Sequence, residues 1–126
     1  MELKPPTMAR YVITGCTVED AEGVGRVNVE GCWTQWHWRL LWKGKTQEYI
    51  VQQCIKRAAY NVLKESDYKR HEKVINTNTG EMVGYCRWRL PKQGLRSPES
   101  HWIAAKTPRV SRERELQALE EYTTAW

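Results

Sequence analysis

"HEKVINTNTGEMVGYCRWRLP", residues 71–91, decides the fold of this chain. Two β-prone runs, Glu72–Asn76 and Met82–Leu90, flank the turn-rich "NTNTGE", which is the pattern of a hairpin. Pro91 ends the second run, because proline has no N–H to donate to a ladder. Successive side chains on a strand point to opposite faces, so Cys86 and Trp88 share one face while Tyr85 and Arg87 share the other.

Upstream of the hairpin, Ile50, Val51, Cys54, Ile55, Ala58, Ala59 and Val62 recur at i, i+3/i+4, and Thr46 can cap them, which predicts a helix over 46–64. Tyr11–Cys16 reads as a short strand. Thr17 then reads as an N-cap, with Glu19 and Asp20 placed where negative charge suits the helix dipole. Ala21, Val24 and Val27 continue as a helix over 18–32, weakened by Gly23 and Gly25. The two helices are joined by "WTQWHWRLLW", residues 33–42, and a "KGK" turn. Downstream, 91–108 reads as loop, and Ser111 caps a last helix with Leu116, Leu119 and Tyr122 as its apolar edge. The order is strand, two helices, two strands, loop, helix. It predicts an α+β fold in which an antiparallel sheet packs against helices. One domain over 11–126 follows a flexible N-terminus over 1–10.

At 126 residues the chain builds one small core. The net charge of +5 is spread along the sequence among acidic residues. No basic block or nucleic-acid motif appears, so nucleic acid is not expected as a partner, whereas anionic small ligands stay open. No apolar run is long enough to span a membrane, and "MELKPPTMAR" lacks the apolar centre of a secretory signal, so a cytoplasmic protein with no membrane partner is expected. Cys16, Cys32, Cys54 and Cys86 lack metal-ligand spacing and read as reduced thiols, with no metal site.

Residues 28–91, from "NVEGCWTQ" to "RWRLP", resemble the N-terminal half of fungal proteins in the GNAT superfamily of N-acetyltransferases. The resemblance is carried by "WRLLW" (38–42), the "Q…KR…NVL" helix, "KRHEKV" (69–74) and "TGEMVGYCRWRLP" (79–91), and it extends through "PESHWIAAKTPRVSRER" (98–114). It implies a β-α-α-β-β order. In that family a fourth strand and a loop of the form [QR]-x-x-G-x-[GA] follow, and the loop's backbone N–H groups hold the coenzyme A phosphates. The nearest match here is "DAEGVG", residues 20–25, with Asp20 in place of Gln or Arg and with both glycines inside the first helix, where they read as packing contacts. The resemblance therefore implies a truncated half-fold with no cofactor. The third strand, left without its usual neighbour, is expected to pair with a second copy in a homodimer.

In that family the segment between the first two helices borders the acceptor-substrate site. Trp33, Trp36 and Trp38 become candidate walls for a substrate, with Trp38 and Trp42 matching the generic pattern. Large flat side chains suit an apolar or aromatic small molecule. His37 is the candidate general acid or base, with Glu30 and Glu48 bordering the segment as its partners. His71 fits "KRHEKV" and reads as structural. Tyr60, Tyr85, Cys86 and Trp88 complete the candidate substrate contacts. The expectation is a repurposed enzyme that cyclises, isomerises or dehydrates a small molecule of secondary metabolism without acetyl-CoA. Two alternatives stay open: an acetyl-CoA-dependent N-acetyltransferase seen as its N-terminal half, and a non-catalytic binding module.

Overall fold

The computed structural model describes residues 10–91 and 100–126. The N-terminus expected to be flexible lies outside the described residues except for Arg10, as does 92–99 of the expected loop. The elements are β1 (Tyr11–Gly15), a 3-10 turn (Val18–Asp20), α1 (Ala21–Cys32), α2 (Trp36–Leu41), α3 (Gln47–Leu63), β2 (Lys69–Asn76), β3 (Glu81–Arg89), α4 (Ser100–Ala104) and α5 (Arg112–Thr123). The fold is α+β, with one three-stranded antiparallel sheet ordered β1-β2-β3. The tryptophan-rich link is itself a short helix, and the stretch read as loop contains α4.

The 3-10 turn, α3 and α5 begin at side-chain caps. Thr17 accepts from the Glu19 N–H, and the Asp20 carboxylate accepts in return from the Thr17 N–H at 2.8 Å. Asp20 also takes the Lys73 ammonium at 2.7 and 2.8 Å, so the entry to α1 is tied to the central strand. Thr46 and Ser111 cap α3 and α5 through the Tyr49 and Arg114 N–H groups.

The β2–β3 ladder carries a bulge. Val74 pairs with Gly84 but Ile75 pairs with Met82, which leaves Val83 as an extra residue. The bulge puts Met82 on the same face as Tyr85. Both then pack on the cluster of Cys16, Val24, Ala58 and Val62 beneath α1 and α3. Ordinary alternation would have aimed Met82 away from that core. The opposite face of the sheet is met by α4. There Arg70, 6% exposed, donates to the carbonyls of Trp102, Ser66 and Lys69 at 2.7, 2.7 and 2.9 Å. His101 approaches the buried Glu72 at 3.2 Å.

α5 seats itself differently from its apolar sequence pattern. Ala118 is fully buried against Val18 and Ala59, and Tyr122 lies on Tyr60 with ring centroids 4.8 Å apart. Leu116 and Leu119 remain 50% and 40% exposed. A small residue lets the α5 backbone come close to α3, and the larger leucines then flank the contact rather than fill it.

α1 and α3 meet most closely at Gly25, where a Cβ would stand 2.8 Å from the Ile55 backbone nitrogen. Gly25→Ala must push the two helices apart. It is expected to lower stability by roughly 1–3 kcal/mol, despite alanine's better helix propensity. Gly31 in the same helix has nothing within 4 Å, so Gly31→Ala is expected to be neutral or stabilising by up to about 1 kcal/mol. Urea denaturation of the pair checks both signs.

Candidate functional site

The inward stripe of α3 runs Cys54, Arg57, Ala58, Asn61, Val62, at i, i+3, i+4, i+7, i+8. Two polar residues stand in an otherwise apolar stripe. They face a cleft of about 530 Å³ bounded by α1, α3 and β3. Asn28 of α1 and Tyr85, Cys86 and Arg87 of β3 complete its polar lining, and among the described residues no carboxylate lines it. The guanidinium of Arg57 is held between aromatic rings, 5.3 Å from the centroids of both Tyr122 and Trp126. Trp126 in turn lies on Trp42, centroids 4.6 Å apart, and its backbone N–H donates to Oε1 of the buried Gln53 at 2.8 Å.

At the sheet side of the cleft, the Tyr85 hydroxyl meets His71 Nδ1 at 2.6 Å. His71 is 1% exposed. Burial drives its pKa down from 6.5 to about 4, and the Arg87 and Lys69 charges push the same way. The backbone of Asn61 opposes this drop. Burial pushes the Tyr85 phenol up from 10.0 to about 12. Both groups are therefore neutral at pH 7. A hydroxyl both donates and accepts, and His71 uses only one of these capacities, so Tyr85 keeps the other for the cleft. Beside the pair, burial pushes the Cys16 thiol up to about 12, and the Asp20 charge adds to the rise.

Of the candidates read from the sequence, Tyr85 and Cys86 line this cleft. The rest lie elsewhere. Trp33, Trp38 and Trp42 pack on the buried Val29, Ile50 and Val51. Trp36 is 74% exposed, and His37, also exposed, meets it edge-on at 6.0 Å. Glu48 is held by Arg26 at 3.3 and 3.4 Å and by Gln52 at 2.9 Å. Glu30 borders a separate surface depression with Glu19, Asp20, Glu22 and Glu81. Among the described residues, no hydrogen bond or ion pair joins His37 to either glutamate. Tyr60 faces α5 rather than the cleft, and Trp88 sits on the opposite face of β3, edge-on to Trp102 at 6.0 Å. The glycines of "DAEGVG" are closed by packing, Gly23 against Met82 and Gly25 against Ile55.

Sequence reading missed Arg57, Asn61, Asn28 and Arg87 and gave His71 a structural part only. The available signal was the pair of polar residues interrupting the apolar stripe of α3. Among the described residues, no group of His, Cys, Asp and Glu is placed to hold a metal ion. Comparison with models of protein families, with characterised proteins and with solved structures returns no match for this chain.

In the unfolded chain His71 binds a proton near pH 6.5, but in the folded protein only near pH 4. The stability tied to its neutral form is complete above pH 6.5. It falls by at most roughly 3 kcal/mol as the pH drops to 4. In His71→Leu that part of the pH dependence should vanish, which urea midpoints measured between pH 7 and pH 4 would show. Thiol labelling gives a second check. The exposed Cys86 should react first and the buried Cys16 only on unfolding.

Proposed function

We propose that the cleft between α1, α3 and β3 binds a small molecule carrying an anionic group. In this reading Tyr85, seated on His71, is the catalytic residue of a reaction that needs no coenzyme. The observation that carries it is the Tyr85–His71 pair at 2.6 Å, set beside Arg57 and Arg87 in a cleft with no carboxylate among its described lining residues. The arginines supply the counter-charge, and Asn28 and Asn61 offer amides that fix orientation. Isomerisation or dehydration next to a carbonyl moves a proton from carbon, here to the substrate's own carboxylate because no carboxylate or histidine is among the described lining residues, and builds negative charge on the carbonyl oxygen. With His71 in its Nδ1–H tautomer donating to the Tyr85 oxygen, the protonated phenol donates in turn to the substrate's carbonyl oxygen, and buried neighbours strengthen the bond. His71 is a positioning residue that fixes the hydroxyl.

The scaffold for this reading is the GNAT-like one inferred from residues 28–91. One observation favours a reaction without acetyl-CoA. The nearest match to a phosphate loop, residues 20–25, lies within the 3-10 turn and α1, and its glycines are occupied by packing against Met82 and Ile55. Tyr85, Cys86 and Arg87 of β3 line the cleft, and β3 is an edge strand of the sheet. A second copy paired along β3 would close that side.

The test is native mass spectrometry and turnover by the purified protein with a fractionated extract of small-molecule carboxylates. An anionic metabolite should be retained and converted. Tyr85→Phe should keep the ligand and lose roughly 10²–10³-fold in turnover. Arg57→Gln and Arg87→Gln should each weaken retention by about tenfold or more. Retention without turnover in the wild-type protein would make this a binding module. Unchanged turnover in Tyr85→Phe would remove the assignment altogether.

A further inference from the structure

From Gly31 to Gln47 the chain contains no Asp or Glu, while Arg39, Lys43 and Lys45 are all present and exposed. This is the stretch that carries α2, and α2 is two-sided. Trp38 and Trp42, one turn apart, form its inward side: they meet edge-on at 6.4 Å and pack on Val29, Ile50 and Val51. Trp36 and Leu40, also one turn apart, form the outward side and are 74% and 63% exposed. Leu41 beside them is 69% exposed. Tyr49 follows at the start of α3, with the Lys45 ammonium 5.0 Å over its ring. Large apolar side chains are thus held out in water by a well-anchored base, in a stretch whose exposed charges are all cationic.

The geometry points to a peripheral docking site for an anionic phospholipid bilayer, with Trp36, Leu40 and Leu41 entering the headgroup boundary and Arg39, Lys43 and Lys45 contacting the negative surface. A tryptophan and two leucines beside basic residues have the composition that binds at a membrane interface. No described helix is long and apolar enough to cross a bilayer, so the contact is with the surface only. The charge pattern also selects among occupants. A second copy seated face to face on this segment would bring like charges together with no carboxylate within the stretch to balance them. None of these side chains lines the cleft described above, so the inference stands apart from the proposed reaction.

Co-sedimentation with vesicles tests it. At roughly 0.1 M salt the protein should bind phosphatidylcholine vesicles containing one-third phosphatidylserine at least about tenfold better than pure phosphatidylcholine. Raising salt to roughly 0.5 M should release it. Trp36→Ala with Leu40→Ala, and separately Lys43→Glu with Lys45→Glu, should each lose about tenfold. All four side chains are exposed, so the thermal melts of both variants should match the wild type. Leu116→Ala, an exposed leucine on α5, should bind as wild type does. Equal binding to both vesicle types, no binding, or retention by the charge-reversed variant would overturn the proposal. So would association of the lipid-free protein that Trp36→Ala with Leu40→Ala abolishes, because that would give the surface to a second copy.

Discussion

The contact on which the rest of the molecule depends is the close approach of α1 to α3 at Gly25 and Ile55. It sets the spacing of the two helices over the sheet. Val24, Ala58 and Val62 can then share one core with Cys16 and Met82, while Val29, Ile50 and Val51 form another toward α2. The same spacing opens the cleft. Near Gly25 the helices are in backbone contact, and one turn along Asn28, Arg57 and Asn61 diverge around open volume above Tyr85. Glycine gives up helix propensity at this position and in return allows a close contact that no other residue permits.

The central strand shows how a small protein buries polar groups. Arg70, His71 and Glu72 are consecutive and nearly inaccessible, and each is matched to something specific. Arg70 takes three carbonyls, His71 takes the Tyr85 hydroxyl, and Glu72 takes His101. Lys73, next in line, takes the Asp20 carboxylate that also caps the 3-10 turn. Unpaired, any of these groups would cost more than its neighbours' burial returns. β2 thus acts as a wiring strand, joining α4 on one face to the cleft and the entry of α1 on the other.

Much of the architecture was legible because it rests on local rules. The three caps at Thr17, Thr46 and Ser111, the stripe of α3 and the hairpin around Gly80 all follow from short-range periodicity and turn chemistry. What was hidden depends on partners distant in sequence. β2 begins at Lys69, three residues before the β-prone run, because Arg70 and His71 are buried by their own bonds rather than by apolar character. α5 is seated by Ala118, whose value comes from Ala59 and Val18 across the gap and not from its own hydrophobicity. The bulge at Val83 leaves no mark in composition. Of the cleft's lining, Tyr85 and Cys86 were singled out from the strand, but alternation puts them on opposite faces and does not say which face borders a cleft. The site was not legible in the tryptophan segment. There, density of aromatic residues was read as a pocket, but the helical spacing of Trp38 and Trp42 against Trp36 divides the segment into a buried side and an exposed side.

The central claim is that small-molecule chemistry resides in the polar cleft over Tyr85 and not among the tryptophans. The most direct measurement is a nitrogen–proton NMR titration of the protein with a simple aromatic carboxylate as probe. Binding in the cleft should confine the shifts to the amides of Asn28, Asn61, Tyr85, Cys86 and Arg87 and to the Arg57 side chain. Shifts gathered on the amides and indoles of Trp33–Trp42, with the cleft silent, would contradict it.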